Sequence, residues 1–201
     1  FESEGVNRII SGGQTMNPST QDFIDAIKKS GAKKAIVLPN NGNIVMAAKQ
    51  AAEVSDIPVG IVPSKTISQG LTAMLSFDPD ASVEENVEAM SEDLDTVISG
   101  EVTQATRDTE IDDVEIHKND YLGIVDGKIK VDNADLIDTT TEMIEKMIDE
   151  DSEIITIMYG RDSSEEEAQE VVARLEEKHD DFEFEIHDGG QPVYHFLVSV
   201  E

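Results

Sequence analysis

Three short polar segments hold the residues best suited to chemistry. Ser11–Thr20 contains Gly12 and Gly13, which let backbone amides approach a ligand, and the side chains of Gln14, Thr15 and Asn17. Pro39–Asn43 adds Asn40, Asn41 and Asn43, and Pro63–Thr66 adds Ser64, Lys65 and Thr66. Each segment leads into a stretch of helical periodicity. Free amides at a helix N-terminus favour an anion such as a phosphate or carboxylate. Gly, Asn and Ser are also the ordinary residues of tight strand-to-helix turns, so plain connection is the competing reading. No segment matches a P-loop or a GxGxxG fingerprint, which leaves nucleotide binding without a motif.

Other chemistry has less support. The four histidines are His117, His179, His187 and His195. His187, Asp188 and His195 flank one expected hairpin and could meet as metal ligands, but two unrelated surface histidines are the commoner arrangement. His179 lies at a helix end, where a cation is favourable. Asp108, Glu110, Asp112 and Asp113 do not have EF-hand spacing and read as a solvated charged segment. No metal site is assigned. No serine or threonine has an identifiable histidine partner, so no catalytic residue is assigned either.

The elements that must position the loops follow from periodicity. A short strand is expected at Val6–Ile10. A helix capped by Ser19 or Thr20 should present Phe23, Ile24 and Ile27 on one face and stop at Gly31. Ala35–Leu38 and Val59–Val62 are apolar runs without alternation, as in parallel strands buried on both faces. Between them Ile44–Val54 has a small-residue helical face, and Ser68–Leu75 is a short helix. This β-α-β-α-β-α series predicts parallel strands. Ligands of such sheets bind beyond the carboxyl ends of the strands, where the three loops gather.

From Ser82 onward a capping box with Glu85 opens a helix with the stripe Val83, Val87, Met90, Leu94, Val97 and Ile98, ended by Gly100. Short strands follow, with an Asp126-Gly127 hairpin turn. A helix after an Asp132/Asn133 cap carries Met143 and Met147. Ile154–Tyr159 is a strand, and Asp162–Ser164 begins another helix. Phe182–Ile186 and Tyr194–Val200 alternate, with Gly189-Gly190-Gln191-Pro192 turning between them.

Charge divides the chain. Its net charge is −29, yet residues 1–78 hold seven acidic and seven basic side chains. The expectation is an α/β lobe at 1–78 and an acidic α+β lobe at 79–201. Such acidity argues against a nucleic-acid partner, which needs a basic footprint. It suits solubility, a salt-adapted surface, or docking to a basic partner. There is no cysteine, no signal-peptide pattern and no apolar run long enough to span a bilayer. A cytoplasmic location is therefore expected.

The strings SGGQTMNPST, LPNNGNI with AAKQAAE, IVPSKTISQGL, RDTEIDDVEI with YLGIVDGKI, and HDGGQPVY with SVE resemble the C-terminal region of the catalytic component of bacterial fatty acid kinases, whose family is dihydroxyacetone-kinase-like. The resemblance runs through nearly the whole chain. Ser11–Phe77 is also similar to the first lobe of the DegV-like fatty-acid-binding proteins and of the dihydroxyacetone-binding kinase component, which implies a parallel-sheet α/β fold. The resemblance further implies a kinase whose separate N-terminal domain uses ATP and Mg²⁺. That kinase phosphorylates a fatty acid presented by a DegV-like protein, giving an acyl phosphate for phospholipid synthesis. This chain, without that domain, is expected to be non-catalytic, to need no cofactor, and to dock the DegV-like partner. The alternatives are a regulatory site for a phosphate or carboxylate at the loops, or a structural module that forms a homodimer.

Overall fold

The computed structural model describes residues 1, 5–10 and 17–201. They form two compact units, Phe1–Thr96 and Val97–Glu201. The charge step near Asp78 therefore falls inside the first unit. The acidic stretch of residues 80–95 contributes a helix to that unit and brings its net charge to −7, leaving −22 in the second.

In unit 1, α1 (Thr20–Ser30) starts at a reciprocal capping box. The Ser19 hydroxyl accepts from the Asp22 amide, and the Asp22 carboxylate accepts from the Ser19 amide at 2.8 Å. The helix ends on Gly31, whose φ of 65° suits a residue without a Cβ. β1 (Ala35–Val37) and β2 (Val59–Ile61) pair in parallel through α2 (Val45–Glu53). Phe23 packs with Ile44, Ala48 and Ala51, so the small face of α2 brings that helix close, as its sequence predicts. Then come α3 (Ile67–Met74), α4 (Val83–Glu92) and a 3-10 turn at Asp93–Thr96. The Ser82–Glu85 capping box is formed. Val62, Ala73, Met90 and Leu94 make a second cluster.

Two expectations in this stretch are corrected. Val6–Ile10 is not a strand; Asn7 disfavours the pleat, and Arg8 bonds the Lys29 carbonyl at the end of α1. Ile10 still packs on the Phe23 cluster. The α4 stripe does not run on to a stop at Gly100. The helix gives way to the 3-10 turn, and Gly100 lies inside a strand.

Unit 2 is a six-stranded sheet with a small side hairpin. Its strands are β3 (Ile98–Gln104), β6 (Tyr121–Val125), β7 (Lys128–Asn133), β8 (Ile154–Tyr159), β9 (Glu183–Asp188) and β10 (Phe196–Val200). The order is β7-β6-β3-β10-β8-β9, antiparallel except for the β8–β9 pair, while β4 (Thr109–Ile111) and β5 (Val114–Ile116) form the hairpin. Asp126 and Gly127 take φ of 47° and 84° at the β6–β7 turn, as a two-residue hairpin requires. α5 (Leu136–Met147) and α6 (Glu165–Glu176) bury Met143, Ile144, Met147, Ala168, Val171 and Leu175 against Val102, Ile155, Ile157, Phe196 and Val198. Each large side chain buried there contributes roughly 1.5–3 kcal/mol.

The cap of α5 is Asp135, which accepts from the Asp138 amide at 2.9 Å, because Asp132 and Asn133 still belong to β7. The expected hairpin between the last two strands does not exist. β8 lies between β9 and β10, so β10 is central and all five of its residues are buried. Of these two strands β9, at a sheet edge, keeps the alternating wet face and β10 does not. Among the described residues no helix is long and apolar enough to cross a membrane.

Candidate functional site

The strand-end loops of unit 1 do meet. After β1 the chain enters a left-handed turn at Asn40, φ 57°. The Asn40 amide donates to Ser64 Oγ at 2.9 Å, and the Ser64 hydroxyl donates to Asn40 Oδ1 at 2.8 Å. Ser64 is fully buried. This reciprocal pair ties the loop after β1 to the loop after β2, just past the bond from the Val62 amide to the Val37 carbonyl. A Cβ at Gly70 of α3 would come 2.0 Å from Asn40 Oδ1. Glycine is therefore what lets α3 close over the Asn40 amide.

The remaining residues surround that clasp. Asn41 Oδ1 accepts from the Asn43 amide at 2.9 Å, and Asn41 Nδ2 reaches Asn17 Oδ1 at 3.5 Å. Lys65 lies over Gly42, its Cγ 3.7 Å from where a Cβ would stand. Thr66 Oγ1 caps α3 by accepting from the Gln69 amide at 3.1 Å. Gln69 returns the bond, its Oε1 accepting from the Lys65 amide at 2.7 Å, while its Nε2 donates to the Leu94 carbonyl. Asn17, Asn40, Asn41, Asn43, Ser64, Lys65 and Thr66 are thus brought to one edge. Gly12, Gly13, Gln14 and Thr15 lie outside the described residues.

The clasp changes what this edge can do. Asn40 and Ser64 are committed to one another and hold the turns. The groups facing outward are the Lys65 ammonium and the start of α2, which Ile44 leaves without a side-chain cap. Uncapped amides beside a lysine can hold one anion. Sequence reasoning missed Gln69 and Gly70. Gln69 follows Thr66 at capping-box spacing, a readable signal, whereas Gly70 is explained only by its closeness in space to Asn40.

A second feature of unit 1 is a groove of about 630 Å³ beside β2. Val59, Gly60, Ile61, Val83 and Val87 line its apolar part, and Glu84, Glu88, Glu92 and Asp95 supply carboxylates. At Gly60 a Cβ would come 2.4 Å from Val87 Cγ2, so this glycine lets α4 lie directly on the strand.

In unit 2 the HDGGQPVY segment forms a lock between strands. Gln191 Nε2 donates to the Met158 and Tyr194 carbonyls at 3.2 and 3.3 Å. The Gly160 amide donates to the His195 carbonyl, and a Cβ at Gly160 would come 2.4 Å from the Tyr194 oxygen. His195 is buried edge-on to Tyr121, with ring centroids 5.2 Å apart, and burial lowers its pKa. His187, on β9, faces Glu185 at 3.3 Å. The expected flanking of one hairpin by His187, Asp188 and His195 is therefore absent. Val193 projects from the same segment, 56% exposed with φ 71°, an unfavourable backbone for a β-branched residue. Thr103 Oγ1 fixes it by donating to its carbonyl at 3.1 Å.

Known proteins can be set beside these features. An uncharacterized protein of Staphylococcus aureus strain USA300 is 45% identical over 201 residues, which are all of this chain and 37% of that protein. The chain thus spans little more than a third of the curated relatives it matches. Among solved structures, the linoleic-acid-loaded fatty acid kinase B3 protein of Streptococcus pneumoniae superposes with a TM-score of 0.59 at 14% identity, over 92% of this chain and 76% of that one. A DegV family protein from Eubacterium eligens loaded with heptadecanoic acid gives 0.61 at 10% identity, over 92% and 78%. The dihydroxyacetone kinase of C. freundii gives 0.57 at 10%, over 92% and 41%. These likenesses establish the mixed α/β fold of the DegV and dihydroxyacetone kinase proteins. The family model for the C-terminal region of FakA-like fatty acid kinase proteins matches residues 1–201, and the chain belongs to that family.

Proposed function

We propose that this chain is the docking domain of a fatty acid kinase. It binds a fatty-acid-loaded DegV-like protein, so that the acyl carboxylate is phosphorylated by an ATP- and Mg²⁺-binding domain outside this chain. The observation that carries this reading is the match of the whole chain to the kinase family's C-terminal region, in relatives of which it spans 37%. Two features support it. The polar residues at the strand-end edge of unit 1 are largely spent on one another, as befits a scaffold. The chain is strongly acidic, and the apolar part of the β2 groove lies beside Glu84, Glu88, Glu92 and Asp95. Electrostatic steering by such charge raises association rate more than affinity. A cytoplasmic setting and a contribution to phospholipid synthesis follow from the same reading.

Competition tests it. In a complete fatty acid kinase reaction with limiting loaded DegV-like protein, excess isolated chain should inhibit acyl phosphate formation by sequestering that protein. Unchanged rates with folded chain in large excess count against docking.

The uncapped start of α2 beside Lys65 favours a second reading, a site for a phosphate or carboxylate. Crystals soaked in sulfate or an acyl phosphate should then show density against the amides of residues 45–47, which open α2. Clean solvent there, with the Asn40–Ser64 clasp intact, would leave that edge a purely structural junction.

A further inference from the structure

Unit 2 carries a cluster that the docking reading does not use. His117 and Asp120 sit on the turn after β5, and Asp132 sits on β7. One ligand atom from each residue lies within 4.8 Å of the other two. His117 Nδ1 is 3.0 Å from Asp132 Oδ2 and 3.8 Å from Asp120 Oδ2. Backbone bonds hold the turn, as does the Asp132 side chain, which accepts from the His117 amide at 2.7 Å. The Asn119 amide donates to the Ala105 carbonyl, the Asp120 amide donates to the His117 carbonyl, and Asn119 takes φ 72°.

A hydrogen-bonded histidine clasp would explain Asp132 Oδ2, which accepts from both the His117 amide and Nδ1. It does not explain the other oxygen. The Asp132 side chain is only 5% exposed, and its Oδ1 is buried without a hydrogen-bond partner. That oxygen shares its carbon and its negative charge with Oδ2, which lies 3.0 Å from His117 Nδ1. A buried carboxylate oxygen with no donor is costly, and Asp120 beside it is a second carboxyl group whose ionisation burial and the Asp132 charge oppose. A cation supplies what both lack.

We propose that His117 Nδ1, Asp120 and Asp132 bind a divalent transition cation, Zn²⁺ or Mn²⁺. Ligands about 2.1 Å from a tetrahedral ion stand roughly 3.4 Å apart. The 3.0 Å pair is closer than that and would open slightly on binding, and rotation of the Asp120 carboxylate, whose side chain is 25% exposed, closes the 3.8 Å gap. One imidazole nitrogen with two carboxylates is a borderline donor set that suits Zn²⁺ or Mn²⁺. The distal nitrogen, His117 Nε2, lies 3.7 Å from Glu115 Oε1, beyond hydrogen-bond distance. The His117 ring is 59% exposed, which leaves water free to complete the coordination shell. The ion would pin the turn after β5 to β7.

The test is calorimetric titration of the chelator-treated chain with ZnCl₂ and, separately, MnCl₂. The expected result is one site of micromolar or tighter Kd, weakened at least tenfold by Asp132→Asn and by Asp120→Asn but unchanged by His187→Gln. Asp120→Asn is the decisive variant because its half-open position leaves the fold intact, which circular dichroism would verify. Mn²⁺ should also broaden the His117 ring resonances before those of the other histidines. Absence of binding, or weak binding at many carboxylates that Asp120→Asn leaves unchanged, would overturn the proposal.

Discussion

Glu101 is the residue whose environment most changes its chemistry. It lies on β3, and burial pushes its carboxyl up to about 6 from 4.5. The folded state therefore holds this proton more tightly than the unfolded state. Stability from this group is fully present below pH 4.5 and is lost as pH rises through 6, an effect of about 2 kcal/mol. Urea denaturation of Glu101→Gln should show that variant more stable than the parent at pH 8, with the gap shrinking toward pH 5. A constant gap would place the effect elsewhere. Ser64 makes a different prediction. It is buried and both donates to and accepts from Asn40, so Ser64→Ala should cost about 1–3 kcal/mol in the same measurement. If Ser64→Ala is neutral, the clasp does not hold the two loops. These residue identities were legible in the sequence as a polar cluster, but their roles were not. Asn and Ser serve a ligand site and a turn equally well, and only the left-handed φ of Asn40 and the closeness of Gly70 make them a clasp.

Among the elements, those with local signals were readable and those set by distant partners were not. The capping boxes at Ser19 and Ser82, the stop at Gly31 and the Asp126-Gly127 turn all depend on neighbours in sequence. Gly100 misled because a glycine after an apolar helical stripe looks like a helix stop. Its real reason is in α5: a Cβ would come 2.6 Å from Met147 Sδ and 2.7 Å from Met143 Cε. Gly100→Ala should therefore destabilise unit 2 by about 1 kcal/mol, because the flexible ends of Met143 and Met147 must shift, read as a slightly lower midpoint in thermal unfolding. The β9–β10 hairpin was misread for a related reason. Gly189-Gly190 is a turn signal, but pairing is decided by the sheet, where β8 takes the place between the two strands. Val193, in that same connection, carries an unfavourable backbone. Val193→Gly should relieve it and raise the unfolding temperature. If Val193 contacts the partner, the same variant should weaken docking, a combination that a merely structural residue would not give.

At the scale of the whole molecule, the charge step falls at Asp78, whereas the compact units divide at Thr96/Val97. Composition cannot see that an acidic helix, α4, finishes with Met90 the core of a unit whose residues 1–78 are neutral overall. The fold was legible as α/β then α+β because periodicity separates those classes. A surface for the proposed docking was not, since carboxylates are spread along most of the second half of the chain. If steering by this charge assists docking, the association rate should fall markedly between low and high salt. Reversing Glu84, Glu88 and Glu92 to lysine should abolish part of that dependence if the β2 groove takes part. The central claim is the docking itself, and calorimetric titration of this chain with a fatty-acid-loaded DegV-like protein from the same organism tests it most directly. The account predicts one-to-one binding at low-micromolar Kd or tighter. No heat of binding, from a chain shown to be folded, would contradict it.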